Sequence, residues 1–274
     1  MTKKVVSVQD ISCYGQCSLT VALPILSAMG IETVILPSSV LSTHTGCFDG
    51  FTVHDLTDEM PKIVNHWQKE RFSFDGIYTG YIGDSRQFET ILSLRNQLND
   101  GGLFIVDPAM GDHGRLYPAL TEDIVEGMKT IVSKADVVLP NITEASFLTG
   151  YEYSENYSKE QVEELLQKLS GMGPRYSVIT GVTFEEGKIG ASCYDKETGE
   201  YTYYFSDFVD KVHHGTGDIF SSVFVGGMVN GMSVYDSLRK ASDFVVASIK
   251  ATIGDDSHYY GVHFESVIPT LFDN

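Results

Sequence analysis

Residues 5–36 read VVSVQDISCYGQCSLTVALPILSAMGIETVIL, and this segment indicates the architecture of the chain. It begins with an apolar, β-branched run at 5–8 and ends with a second such run at 31–36. Between them, 18–29 has the pattern of a helix, which Gly30 ends because glycine readily adopts the left-handed conformation that follows a helix. Strand, helix and strand in this order predict two parallel strands joined by a crossover helix.

The same alternation continues along the chain. Further strands are predicted at 76–79, 103–106, 137–139 and 177–180, and further helices at 58–69, 85–98, 121–133, 158–169, 216–230 and 233–252. Residues 187–205 alternate around a turn at 196–199, which predicts an antiparallel hairpin. The fold class is therefore α/β, a central, mostly parallel sheet with helices on both faces and a hairpin added. No repeat or linker divides the chain, so we expect a single domain over residues 1–274.

Composition excludes several classes of function. At about 150 residues per domain, 274 residues allow one large domain or two small ones. The chain has 19 basic and 37 acidic residues, a net charge of −18, whereas nucleic-acid binding requires a basic surface. No apolar run approaches the ~20 residues of a membrane span, and residues 1–4 do not begin a signal peptide. We expect a soluble, cytoplasmic protein without nucleic-acid or membrane partners.

The four cysteines do not form a recognisable framework. Cys13 and Cys17 are close in sequence, but no second pair with zinc-ligand spacing follows, and Cys47 and Cys193 stand alone. Reduced, packed thiols are the simplest interpretation. A nucleophilic Cys47 paired with His44 is the alternative.

The segment HGTGDIFSS at 214–222 carries the strongest local indication of chemistry. Gly215 and Gly217 flank Thr216, Asp218 follows, and an apolar helix begins. Glycines allow a tight turn, and backbone N–H groups at a helix N-terminus bind anions, most often phosphate. A carboxylate repels phosphate, so Asp218 fits better as a general base beside a transferred phosphoryl group. The alternative is an ordinary first-turn carboxylate that helps to start the helix.

Two further strand ends carry acidic or amide side chains. DPAMGD at 107–112 supplies Asp107 and Asp112, and PNITE at 140–144 supplies Asn141 and Glu144. Carboxylate oxygens suit a hard cation such as Mg²⁺, and ligands of doubly wound sheets bind beyond the carboxyl ends of the strands. The alternative for each segment is a proline-bearing turn or a helix cap.

Together, GTGD, DPAMGD and PNITE resemble the ribokinase superfamily, and within it the pyridoxal (vitamin B6) kinases and their relatives, the hydroxymethylpyrimidine kinases. STHTG at 42–46 and GYIG at 80–83 add to the likeness, which covers about 5–251. The resemblance implies a ribokinase-like fold and the use of ATP, as phosphate donor, together with Mg²⁺. It also implies phosphorylation of the 5′-hydroxymethyl group of pyridoxal, pyridoxine or pyridoxamine by a homodimer. A pyrimidine substrate, or a vitamer-binding protein without catalysis, are the alternatives.

The resemblance also implies roles for individual residues. Asp218 would accept the hydroxyl proton, and Gly215, Thr216 and Gly217 would form the anion hole. Asp112 and Glu144 would hold Mg²⁺ through water, with Asp107 near a monovalent cation (K⁺ or Na⁺) or the outer shell of the metal. The residues implied to line ATP and its phosphates are Asn141, Thr180, Gly181, Val209, Asp210 and Lys211, besides Asp112, Glu144 and Thr216. Thr45 would donate a hydrogen bond to the vitamer ring, Tyr81 would pack on it, and His44 would lie beside it.

One position departs from the pattern of these kinases. Asp10 follows Gln9 where a serine usually contacts the pyridine ring, and Ser12 lies two residues further on. A carboxylate there predicts a charge-assisted ring contact and a preference for pyridoxamine or pyridoxine over pyridoxal. Alternatively, Asp10 caps the following turn and Ser12 contacts the ring. A dinucleotide-binding dehydrogenase is excluded, because 8–18 supplies only Gly15 where a G-x-G-x-x-G motif is needed.

Overall fold

The computed structural model describes residues 2–118, 120–209 and 214–272. Its strands are β1 Lys4–Ser12, β2 Glu32–Leu41, β3 Val53–Asp55, β4 Phe74–Thr79, β5 Leu98–Val106, β6 Gly111–Asp112, β7 Arg115–Leu116, β8 Val137–Val138, β9 Tyr176–Val182, β10 Lys188–Asp195 and β11 Glu200–Asp207. Its helices are α1 Leu19–Ala28, α2 Met60–Lys69, α3 Gln87–Leu94, α4 Glu122–Val132, α5 Ile142–Thr149, α6 Lys159–Met172, α7 Thr216–Val229 and α8 Val234–Thr252, with 3-10 helices at Arg95–Gln97 and Ile268–Leu271.

Nine strands form one sheet in the order β11-β10-β9-β8-β5-β4-β1-β2-β3. The six strands from β9 to β2 in this order pair in parallel. The other pairs, β9 with β10, β10 with β11 and β2 with β3, are antiparallel. The predicted α/β architecture with an added hairpin is therefore confirmed.

Helices cover both faces of the sheet, which explains why apolar residues of the central strands point to both sides. In β1, Val6 and Val8 pack towards α2, α3, α4, α5 and α6, and Val5 packs on the opposite side towards α1, α7 and α8. A strand buried on both faces gains no benefit from alternating polarity. Among the described residues, no helix is long and apolar enough to cross a membrane.

The predicted elements differ from the structure mainly where the apolar pattern is weak. The predicted helix at 85–98 ends earlier, because β5 begins at Leu98 opposite Phe74 rather than at residue 103. The short strand β3 and the two-stranded β6–β7 hairpin are not predicted. The spacing of apolar residues does not reveal helix α5. Five of its eight residues are buried, and several of these are polar, so the helix has no apolar face that the sequence would show.

Candidate active site

The glycine turn places Asp218 in the first turn of α7. Gly215 precedes the helix with φ 79°, and the Gln16 carbonyl oxygen occupies the place of a Cβ at this position. Only glycine satisfies both the left-handed backbone and this close approach. The turn therefore packs against the segment between β1 and α1.

That same segment holds the Asp218 side chain. The Ser18 N–H donates to Asp218 Oδ2 at 3.0 Å, across 200 positions of sequence. Burial raises the pKa of the Asp218 carboxyl to about 6, the Ser18 N–H lowers it in part, and the Asp10 carboxylate raises it further. A carboxyl with this pKa is mainly ionised at neutral pH and is a stronger base than an ordinary aspartate.

Asp107 lies beside Asp218 at the end of β5. Ser221, one helical turn after Asp218, donates its hydroxyl to Asp107 Oδ2 at 2.6 Å. Burial raises the pKa of Asp107 to about 8, with Asp218 adding to the effect. Burial, Glu144 and Asp218, in that order, also raise the pKa of the Tyr117 phenol, so these acidic groups surround one space. Such a concentration of buried carboxyl groups is suited to a bound cation, which would favour their ionised forms.

Asn141 and Glu144 form the N-terminal cap of α5. Asn141 Oδ1 accepts from the Glu144 N–H at 2.9 Å, and Glu144 Oε2 accepts from the Asn141 N–H at 2.9 Å. Glu144 Oε1 accepts from the N–H groups of Met110 and Gly111 at 3.1 and 3.5 Å, and Asn141 Nδ2 donates to the Gly111 carbonyl at 2.8 Å. Both side chains thus tie the 107–112 segment to α5, as the capping alternative predicts.

Of the other residues predicted for metal and nucleotide, the structure describes Asp112, Thr180, Gly181 and Val209. Asp112 is exposed, with 58% of its side chain accessible, and its Oδ1 accepts from the His113 N–H at 2.8 Å. The Thr180 N–H donates to the Pro140 carbonyl at 3.0 Å. Gly181, exposed with φ 71°, lines a cleft of about 160 Å³ together with Ile142, Tyr157, Val182 and others. Val209 is partly buried, whereas Asp210 and Lys211 lie outside the described residues.

Asp10 lies near the end of β1, where its carboxylate affects the pKa of Asp218. It is 4% exposed, and the Ser12 hydroxyl donates to its Oδ2 at 2.9 Å. Burial raises the pKa of Asp10, and hydrogen bonds from Ser18 and Ser12 lower it in part. Burial and then the Asp10 carboxylate raise the pKa of Tyr81 to about 12, which places Tyr81 close to Asp10.

His44 is held by backbone groups on both ring nitrogens. Nδ1 accepts from the Gly46 N–H at 3.1 Å, and Nε2 lies 2.9 Å from the Tyr260 carbonyl oxygen, so Nε2 carries the proton. Cys47 Sγ lies 3.7 Å from this protonated nitrogen. His44 therefore cannot accept the thiol proton, and burial raises the pKa of Cys47. The geometry argues against a Cys47–His44 nucleophile. Thr45, the next residue, is exposed at the rim.

Several residues at the site are not predicted from sequence. The Ser18 N–H and the Tyr260 carbonyl are backbone groups, so the residue types at these positions do not indicate their contacts. Cys17 also lies here, with its Sγ 3.6 Å from the place of a Cβ on Gly215, and burial and then Asp218 and Asp10 raise the pKa of its thiol. Ser221 could have been found, since a residue three positions after Asp218 shares its helix face. All four cysteines are free thiols, as predicted, but Cys13 is exposed rather than packed.

Comparisons with known proteins identify a family and several solved relatives. The family model for phosphomethylpyrimidine kinase matches residues 39–263. A candidate phosphomethylpyrimidine kinase from Bacteroides thetaiotaomicron, solved in a form with pyridoxal, is 37% identical with a TM-score of 0.94, covering 99% of this chain and 96% of that one. Pyridoxal kinase from Lactobacillus plantarum is 30% identical with a TM-score of 0.91, covering 99% and 97%. Pyridoxal kinase from Arabidopsis thaliana is 28% identical over 262 residues, 92% of this chain and 82% of that protein.

Proposed function

Because the chain belongs to the phosphomethylpyrimidine kinase family and is a pyridoxal kinase of the ribokinase-like superfamily, we propose that it transfers the γ-phosphoryl group of ATP to the 5′-hydroxymethyl group of vitamin B6 vitamers, with Asp218 as the base. The observation that carries this proposal is the position of Asp218. It stands in the first turn of α7 behind the glycine turn, where the Asp10 carboxylate raises its pKa and where Ser221 of the same helix donates to Asp107.

Asp218 accepts the proton of the substrate hydroxyl as the phosphoryl group is transferred. A base must be ionised before the reaction and basic enough to take the proton, and a pKa of about 6 meets both requirements. The Ser18 N–H orients the carboxylate through Oδ2, which leaves Oδ1 for the substrate. The hydrogen bond from the β1–α1 segment therefore supports the proposal that the Asp218 carboxylate is held in one orientation as the base.

The start of α7 supplies the site for the transferred group. N–H groups at a helix N-terminus point along the axis, and their positive potential favours the charge that develops on the phosphoryl oxygens. Gly215, Thr216 and Gly217 form this end of the helix, directly before Asp218. They act as the anion hole, and Thr216 also contacts the nucleotide.

The acidic residues fit Mg²⁺ and a monovalent cation. Mg²⁺, when bound, neutralises charge on the phosphates of ATP. Asp112 reaches such an ion from solvent. Asp107, which accepts from Ser221 of α7, serves K⁺ or Na⁺ or the outer shell of the metal. Glu144 acts through water, because both of its oxygens already accept backbone N–H groups. Nucleotide-contacting residues are Asn141, Thr180, Gly181, Val209, Asp210 and Lys211.

The vitamer ring lies between β1 and the segment after β4. Asp10 and Ser12 meet the ring from the end of β1, Tyr81 packs on it, and Thr45 and His44 lie at its edge. The buried, poorly solvated carboxylate of Asp10 supports this orientation, since a cationic or N–H-bearing ligand would compensate its charge.

A pyrimidine substrate is the second candidate, because the matching family model describes phosphomethylpyrimidine kinases. A coupled ATP-turnover assay over pyridoxal, pyridoxine, pyridoxamine and 4-amino-5-hydroxymethyl-2-methylpyrimidine distinguishes the two. We expect turnover on B6 vitamers to exceed turnover on the pyrimidine. The opposite order would assign the chain to thiamin precursor synthesis, and Asp218→Asn serves as the inactive control in both cases.

We further propose that residues 1–274 act as a single domain and that the enzyme works as a cytoplasmic homodimer. The resemblance to the B6 kinases supports these points. Light scattering at micromolar protein concentration tests the assembly, and a mass corresponding to one chain would contradict it.

A further inference from the structure

Three potential metal ligands meet in the loop that follows α8. They are Asp255, His258 and His263, and one donor atom from each lies within 4.8 Å of the other two. The three residues span nine positions of sequence, outside the elements that hold Asp107, Asp112 and Asp218. The proposed kinase reaction uses none of them.

The loop backbone and side chains hold these donors in place. Asp255 Oδ1 accepts from the Ser257 N–H at 3.0 Å, which directs Oδ2 towards His263 Nε2 at 2.9 Å. The His263 N–H donates to Thr252 Oγ1 at 2.9 Å at the end of α8. The separation of Asp255 Oδ2 and His263 Nε2 is close to that of two ligands on one small ion, so these two atoms need little movement to chelate one, and His258 completes the set by a turn of its ring.

The two imidazoles are stacked, with ring centroids 3.8 Å apart. Protonation of both rings would place two positive charges in contact. His258 is 8% exposed, so its ring is held within the loop. A neutral imidazole has the lone pair that a metal ion requires.

We propose that Asp255, His258 and His263 bind one divalent transition-metal ion of the class that includes Zn²⁺, with solvent completing the coordination. Two imidazoles and one carboxylate are the donor set of this class, whereas Mg²⁺ and Ca²⁺ prefer oxygen ligands alone. The ion replaces the proton that His263 shares with Asp255, and that proton passes to solvent.

The site is connected to the active-site segment between β1 and α1. His258 Nε2 lies 2.8 Å from Gln16 Oε1, and Gln16 Nε2 donates to Glu265 Oε1 at 2.6 Å. Gly261 lets the loop approach closely, because the Gln16 side chain occupies the place of a Cβ there. Since the Gln16 carbonyl packs on Gly215, a bound ion fastens the C-terminal loop to the segment that positions Asp218.

Calorimetric titration of Zn²⁺ into the full chain, freed of metal by a chelator and kept reduced, tests the site. We expect one ion per chain, with affinity reduced at least ~10-fold in Asp255→Asn and in His263→Gln, as removal of a ligand requires. The matched control is His66→Gln, which removes an exposed histidine that faces Glu70 on α2. This control should bind Zn²⁺ as the wild type does.

A second readout uses Co²⁺, whose visible absorption reports the ligands directly. We expect the wild-type spectrum to be retained in Cys47→Ser and lost in His263→Gln, with circular dichroism showing that both variants are folded. Absence of Zn²⁺ binding by the wild type would overturn the proposal. Unchanged affinity in Asp255→Asn and His263→Gln, or loss of binding in Cys47→Ser instead, would also overturn it.

Discussion

Asp218 combines three properties that are needed in a base: partial burial, a fixed orientation and a pKa of about 6. We expect Asp218→Asn to lower kcat by ~10²–10⁴, the usual loss when a general base is removed. ATP binding should be retained or tightened, because the amide keeps the shape of the side chain and removes charge repulsion. Steady-state kinetics and nucleotide titration measure the two effects, with exposed Asp100→Asn as the control.

The pH profile gives a second readout of the same role. Since the carboxylate is the active form, kcat should rise with pH through about 6 and then level off. The acidic limb should be absent from the residual activity of Asp218→Asn. Turnover close to that of the wild type in this variant would contradict the assignment of Asp218.

Asp10 is the residue that we expect to select among vitamers. Pyridoxamine carries a cationic aminomethyl group, whereas pyridoxal carries an aldehyde with no proton to donate. A charge-assisted contact contributes roughly 1.5–3 kcal/mol, which corresponds to a preference of about tenfold or more. We therefore expect pyridoxamine or pyridoxine to have a higher kcat/KM than pyridoxal, and Asp10→Ser to narrow the difference.

Asp100→Ser, at an exposed position of β5, is the matched control for Asp10→Ser. It should leave the ratio of kcat/KM values close to that of the wild type. If Asp10→Ser leaves the ratio of kcat/KM values unchanged and Ser12→Ala alters it, Ser12 rather than Asp10 contacts the ring.

Helix α5 depends on Glu144 for more than its own cap, because this carboxylate also accepts from Met110 and Gly111. In Glu144→Gln, the amide nitrogen would face a backbone N–H, donor against donor. We expect the free energy of unfolding to fall by about 1–3 kcal/mol. Urea denaturation measures the loss, and Glu160→Gln, an exposed first-turn glutamate of α6, should change little. Equal stability of the two variants would exclude a structural role for Glu144.

The β6–β7 hairpin presents Asp112 to solvent at the rim of the site. We expect Asp112→Ala to raise the Mg²⁺ concentration needed for half-maximal rate, because the metal loses a hard oxygen contact. Unfolding in urea should be unaffected, since the side chain is exposed. Glu144→Ala should also raise the Mg²⁺ requirement, but with a loss of stability. An unchanged Mg²⁺ titration in Asp112→Ala would remove this residue from the metal site.

Across the whole molecule, buried acids make stability depend on pH in a direction opposite to that of ordinary ion pairs. Asp107 and Asp218 have pKa values raised to about 8 and about 6 from 3.8. For each group, the pH range between 3.8 and the raised pKa is one in which the folded chain binds more protons than the unfolded chain. These groups therefore lower the free energy of unfolding as pH rises through that range. The contribution is at most about 1.4 kcal/mol per pH unit for each proton.

We therefore expect Mg²⁺ to raise Tm more at pH 8 than at pH 5, because the ion favours the deprotonated carboxylates. Thermal unfolding with and without Mg²⁺ at the two pH values measures this. The effect should be smaller in Asp107→Asn. A Mg²⁺ effect that is equal at both pH values would show that these acids do not face the ion.

The local sequence pattern was sufficient to predict the parallel sheet and the position of Asp218 at the start of α7. Apolar runs of strand length, helical spacing and a glycine stop each act over a few residues, so they appear directly in the order of side chains around residues 5–36. The Gly-Thr-Gly-Asp turn likewise needs only its own residues to start α7. The boundaries of β5 and α5 depend on packing against neighbouring elements, so the local sequence pattern does not give them.

The contacts that give the acidic residues their chemistry arise only when distant segments meet. Ser18 reaches Asp218 across 200 positions, and Ser221 reaches Asp107 across 114. Whether Glu144 caps a helix or faces a metal likewise depended on where Met110 and Gly111 lie. A pKa is set by the desolvation and the charges around a group, and these exist only in the folded chain, so no reading of residue order could supply them.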